Sequence, residues 1–282
     1  MVNSHTGNPH IVPEDMQDVP VKEPDGCVVK VERGGFKPFL LLRKKEVPDI
    51  LAGKLLLAFA HIVQKTAIAQ RFCSIGSWRY LMNLFIGKIV SSILQIILFV
   101  IVPFIWWFVT ARNHQKFSQW IGFKKIDGGK RTLVSIIIVS ISFLVLGGLT
   151  LYGIRDIDTA TSEFASLGVD ALPAIVIYAA FNTAFPEEIL FRGFLLKRVA
   201  NKFGFNIANL TQALLFGLLH GVMFFSLVGA IKAILILFFT SVIAWLMGYI
   251  NEKISNGSII PSWIIHTISN LFSGICAAFS II

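Results

Sequence analysis

The sequence predicts an all-α, polytopic transmembrane helix bundle of about six to eight spans, preceded by a polar cytoplasmic N-terminal tail. Three observations predict it. Of the 282 residues, 55% are hydrophobic and only 15% charged, against roughly 45–50% and 25% in a soluble domain. The mean hydropathy is +0.73. The apolar residues are also gathered into runs near or above the ~20 residues that cross a bilayer core.

Residues 1–50 are rich in proline, charge and polar groups and read as a mobile cytoplasmic tail. They lack the apolar stretch of a cleavable signal peptide. Residues 51–80 are helical in propensity but carry Lys54, His61, Gln64 and Lys65. They fit either an amphipathic interfacial helix or a weak span. Apolar runs follow at 84–111, 132–153, 173–196, 207–227, 229–250 and 258–280. Backbone polar groups in lipid must be satisfied within the segment, so these runs are helices. Pro103 either kinks the first run or turns it into a re-entrant hairpin. The resulting division is tail 1–50, an N-terminal amphipathic or transmembrane region with a basic loop at 51–131, and a transmembrane core at 132–282.

Loop charges set the orientation. Arg112, Lys116, Lys124, Lys125, Lys130 and Arg131 place the 112–131 loop in the cytoplasm. The 154–172 loop carries Asp156, Asp158, Glu163 and Asp170 against one base, Arg155, and faces outward. Lys197, Arg198 and Lys202 bring the next connection back inside. The expected location is a membrane, a bacterial plasma membrane by default, with lipid as the surrounding partner. The net charge of +9 is therefore a positive-inside signature. No recognition motif or stacking platform points to nucleic acid. Cys27, Cys73 and Cys276 are scattered and odd in number, so neither a disulfide frame nor a cysteine zinc site is expected.

Fourteen of the 16 acidic residues fall in loops or tails; Glu187 and Glu188 do not. A carboxylate within hydrocarbon costs at least a few kcal/mol, so two adjacent ones suggest a purpose. Arg192 lies one turn after Glu188, on the same helix face, and a structural ion pair between them is one reading. His220 and His266 are the two histidines in strongly apolar spans, and Asn270 shares a helix side with His266 at i,i+4. At ~1.5 Å rise per residue, Glu187, His220, His266 and Asn270 lie roughly 13, 20, 12 and 18 Å from the inner ends of their spans. Three helices thus carry polar groups at one depth. Each group alone has a plainer explanation: an ion pair, a packing histidine, an interhelical asparagine. Lys232 is expected to snorkel to the outer interface.

Hydrolysis of a peptide inside a membrane needs a water, a base and donors for the oxyanion. A glutamate in a medium of low dielectric can serve as base near neutrality. The expected assignment has Glu187 activating a water held by His220. Glu188 pairs with Arg192 to brace the site, and His266 and Asn270 donate to the oxyanion. Alternatively Glu187, His220 and His266 bind a divalent metal such as zinc; the residues leave a metal and no metal equally open. HExxH and GxSxG motifs and paired intramembrane aspartates are missing. Buried Glu, His and Arg also serve transporters and proton relays, but neither broken helices nor inverted repeats are visible.

The order Glu187-Glu188-x-x-x-Arg192, Phe216-x-x-x-His220, His266-x-x-x-Asn270, with its phrase EEILFRG and the GS-x-x-P lead-in to His266, resembles the CAAX protease and bacteriocin-processing (CPBP, or Abi) family of intramembrane proteases. The resemblance covers roughly residues 170–280. It implies a helical membrane fold, a site open toward the cytoplasm, and endopeptidase activity on a prenylated CaaX protein, a bacteriocin precursor or another membrane protein. The family is catalogued as metalloproteases, and a metal-free, glutamate-activated water has also been argued for it. A non-catalytic immunity or scaffold protein of the same fold is the alternative that the resemblance also carries.

Overall fold

A computed structural model describes the backbone of residues 49–281 and the side chains from Trp78 onward. The chain divides into two units, 1–80 and 81–282, and the packing and the site described below lie in the second. The tail expected over 1–50 and, up to residue 77, the 51–80 segment expected as interfacial or spanning fall outside the described side chains.

Among the described residues every regular element is helical. Helix α1 (Asp49–Thr110) is continuous and ends in an apolar stretch from Trp78. Pro103 sits inside it without reversing the chain, so the run is one helix, long and apolar enough to cross a membrane, and not a re-entrant hairpin. Proline removes one N–H, and the broken bond is tolerated where the rest of the ladder persists on both sides. Helix α2 (Gly129–Gly153) follows a basic loop, and α3 (Gly168–Phe203) follows the acidic one.

The stretch Phe205–Ile254 is also apolar throughout. A straight helix of that length would reach ~75 Å, far beyond a bilayer core of ~30 Å. Gly229, with φ 76° and ψ 170°, breaks it, a left-handed conformation that glycine adopts without penalty. The chain folds back there into α4 (205–228) and α5 (230–254). Contacts between Gly248 and Asn209, Gly217 and Ser241, and Gly221 and Leu237 establish the antiparallel pairing. Gln212 Nε2 reaches Ala244 O at 3.0 Å and Asn209 Nδ2 reaches Trp245 O at 3.0 Å, tying the pair together. Helix α6 (Ile260–Ala278) closes the bundle. Among the described residues four stretches are long and apolar enough to cross a membrane. The hairpin at Gly229 divides one of them, and α6 is a shorter helix made more polar by His266, Ser269 and Asn270.

A Cβ on Gly217 would lie 2.0 Å from Ser241 Oγ and 2.5 Å from Leu237 O. Gly217→Ala is therefore expected to pry α4 from α5 and cost about 1–3 kcal/mol, the usual penalty of overpacking. A thermal melt of the purified protein in detergent checks this.

The packing explains where the apolar surface goes. Ile93, Leu94, Ile97, Leu98 and Ile101 on α1, like Ile137, Ile138 and Ile141 on α2, are exposed, a distribution that suits hydrocarbon and not water. Inside, Ile136 and Val139 of α2 meet Ile243, Met247 and Ile265. At one end Phe164, Ile175 and Tyr178 pack with Leu84 and Phe85, and Lys88 pairs with Glu163. At the other, Trp120 and Ile121 of the basic loop are buried against Ile189 and Ile259. That loop is stitched to the α5–α6 turn by Ile259 N–H to Gly122 O at 2.9 Å and Ser258 Oγ to Lys124 O at 2.7 Å. Lys232 extends as expected to a helix end, donating to Gly153 O at 2.7 Å.

Candidate active site

Helices α3 and α6 lie side by side and antiparallel. Two layers of polar residues face each other across them. Thr183 meets Asn270 in one layer, and one turn on, Glu187 and Glu188 meet His266. The helix carrying the acids is not uniform. Residues Tyr178–Ala184 and Ile189–Leu196 form wide π turns flanking a short α stretch that begins with Phe185 and Pro186. π turns arise where the regular ladder is disturbed, and they cluster at functional sites. Here carbonyls of the first one turn to α6: Ala180 O accepts from Trp263 Nε1 at 2.8 Å and Ala179 O from Asn270 Nδ2 at 3.5 Å.

Glu188 and Arg192 are wholly buried, and Arg192 Nη1 donates to Glu188 Oε1 at 2.9 Å. Taking two such ions out of water costs several kcal/mol each; the surroundings offset part of it, with Glu188 Oε2 and Arg192 Nε left without a hydrogen-bond partner among the described residues. His266 Nδ1 lies 3.0 Å from the same Glu188 oxygen. The Arg192 guanidinium lies 4.5 Å from the Phe216 ring centre, a cation–π contact. Its Nη2 approaches Met247 Sδ at 3.9 Å.

Glu187 stands apart from this network. Its side chain keeps 18% of its exposure, whereas His266 keeps 7%. Its Oε2 has no hydrogen-bond partner and faces His266 Nε2 at 3.8 Å. That gap is too long for a direct bond.

Both histidines are anchored through the same nitrogen. His220 Nδ1 is 2.9 Å from Phe216 O, and a carbonyl only accepts. His266 Nδ1 faces the carboxylate oxygen that Arg192 also holds. Nδ1 is therefore the protonated nitrogen in each ring, leaving Nε2 as the outward position. His220 does not touch the glutamates directly. It stacks on Phe216 at 4.5 Å between ring centres, and Phe216 meets the His266 ring edge-on at 5.9 Å.

Asn270 is anchored through Nδ2 to Thr183 Oγ1 at 2.6 Å, and its longer contact to Ala179 O leaves one N–H weakly engaged. Thr183 escapes a reading by cost of burial, because a hydroxyl in a helix can bond its own backbone. The signal that could have found it is its place one turn before Glu187. Phe216 enters the sequence pattern only as the first letter of a motif, yet it touches Arg192, His220 and His266.

The donor chemistry of Glu187, His220 and His266 suits a metal, since ligating histidines commonly donate their other nitrogen to a carbonyl or carboxylate. Their positions do not: among the described residues no three His, Cys, Asp or Glu side chains stand close enough together to hold a metal ion.

No curated protein and no solved structure matches the chain. A family model described as type II CAAX prenyl endopeptidase Rce1-like matches residues 170–272. The matched stretch carries Glu187, Glu188, Arg192, His220, His266 and Asn270, so the part of this membrane helix bundle that holds the site is similar to an Rce1-like CAAX prenyl endopeptidase domain.

Proposed function

We propose that this protein is an intramembrane endopeptidase in which Glu187 activates a water to hydrolyse a peptide bond of a membrane-associated substrate. The observation that carries the reading is the free Glu187 Oε2 facing His266 Nε2 across 3.8 Å. A water beside this pair donates one hydrogen to each acceptor, which turns its lone pairs toward an incoming carbonyl. Glu187 takes the proton as the water oxygen bonds to the carbonyl carbon. It returns that proton to the leaving amine as the C–N bond breaks. Glu188, pinned by Arg192, holds Nδ1–H of His266 and so fixes the ring. Asn270 supplies the weakly engaged N–H to the oxyanion, and His220 walls the site beside Phe216.

Substrates of the family named in the match are prenylated CaaX proteins, and that class, read from the cytoplasmic side, is the first expectation here. A bacteriocin precursor or another membrane protein is the next. The full-length chain in liposomes, given a farnesylated CaaX peptide, is expected to release the C-terminal tripeptide. Comparison of membrane peptides from cells lacking the protein with cells carrying Glu187→Gln then finds any other substrate. If neither assay yields a cleavage that depends on Glu187, the reading fails. Adding a chelator to the liposome assay determines whether a metal takes part.

Thr183→Val keeps the shape but removes the acceptor for Asn270. Loss of a single oxyanion donor costs about 100- to 1,000-fold in kcat. The variant is expected to lose part of that factor in kcat with little change in KM, and Thr183→Ser to restore it.

A further inference from the structure

A second feature lies away from the candidate active site, where α2 and α5 diverge. The two helices pack closely at one end through Ile136, Val139, Ile243 and Met247. Toward the other they splay around a cavity of about 560 Å³. Leu146, Leu149 and Gly153 of α2 and Leu235, Phe239 and Val242 of α5 line it. These positions fall at helical spacing on each partner, so one face of each helix forms a wall. The volume lies within the roughly 300–1,000 Å³ usual for small-ligand sites.

One cation stands at its end. Lys232 Nζ donates to Gly153 O, and among the described residues it makes no ion pair. Two of its three N–H groups are therefore left over. By the loop charges this end lies at the outer interface, where a lysine snorkels toward headgroups. A long apolar slot ending in one unpaired ammonium complements a molecule with an acyl chain and an anionic head.

We propose that this groove is a binding site for an anionic phospholipid, with one acyl chain between α2 and α5 and the phosphate on Lys232. The site is independent of the peptidase reading and survives its failure.

The test reconstitutes the full-length chain in nanodiscs of equal phosphatidylglycerol and phosphatidylcholine, extracts it into mild detergent, and weighs the protein with its retained lipid by native mass spectrometry. The expected result is one phospholipid per chain, enriched in phosphatidylglycerol. Lys232→Gln keeps a donor for Gly153 O and removes the charge. It is expected to lower that enrichment about fivefold, the effect of one lysine near anionic lipid. Leu235→Trp fills the slot and is expected to abolish retention of both lipids, with an unchanged melting profile showing that it folds. Equal retention of the two lipids by the wild type, or retention unaffected by Leu235→Trp, overturns the proposal. So does a cross-link between Cys substituted at Leu149 on two chains in the nanodisc, which would give the groove to a second copy.

Discussion

Glu187→Gln is expected to reduce peptide cleavage by about 100- to 10,000-fold, the contribution of a positioned general base, while the amount of folded protein in the membrane stays close to wild type. The two halves of this expectation come from one geometric fact. Glu187 has a buried oxygen with no partner among the described residues, on a side chain that keeps some exposure. It stands in no ion pair beyond the 3.8 Å approach to His266. Replacing the carboxylate by an amide of the same shape leaves the packing intact and removes the lone pair that takes the proton. Cleavage of a substrate peptide in liposomes, beside a quantitative blot of the membrane fraction, measures both. Abundance that collapsed together with activity would make Glu187 a structural residue.

Arg192→Leu is expected to have the opposite profile. Glu188 is fully buried, and removal of one partner from a buried ion pair costs about 3–5 kcal/mol. That is a large share of the ~5–15 kcal/mol by which a folded protein is stable, so the variant is expected to accumulate poorly and to melt early in detergent. Replacing both partners, Glu188→Leu with Arg192→Met, removes the stranded charge and is expected to recover much of that stability. It remains inactive, because His266 loses the acceptor that fixes its ring. Recovery of stability without recovery of cleavage separates the brace from the chemistry.

The sequence makes part of this visible for a plain reason. Charged groups in apolar runs are expensive, so Glu187, Glu188, His220 and His266 stand out before any fold is known. The i,i+4 spacing puts Glu188 beside Arg192, whose Nη1 donates to it, and the similar depths of Glu187 and His266 match the level at which α3 and α6 bring them within 3.8 Å. Spacing within a helix does not reveal which ring nitrogen faces which neighbour. His266 is expected at the oxyanion and instead lies between the two glutamates. His220, expected to hold the water, reaches the cluster only through Phe216. Thr183 carries no cost signal and is found by its bond to Asn270. The reversal at Gly229 is legible as a boundary between two runs, because a span much longer than the bilayer must break somewhere. The burial of Trp120 and Ile121 in a basic loop is not legible, since the charges around them advertise a solvated segment.

The central claim is that water, and not a carboxylate of the protein, attacks the peptide. A single-turnover cleavage in water labelled with heavy oxygen, followed by mass spectrometry of both product and enzyme, tests it directly. One labelled oxygen is expected in the new carboxyl group of the product from the first turnover, with none in the protein. An unlabelled first product, with label appearing in the peptide that contains Glu187 and Glu188, would mean that a glutamate itself forms the bond.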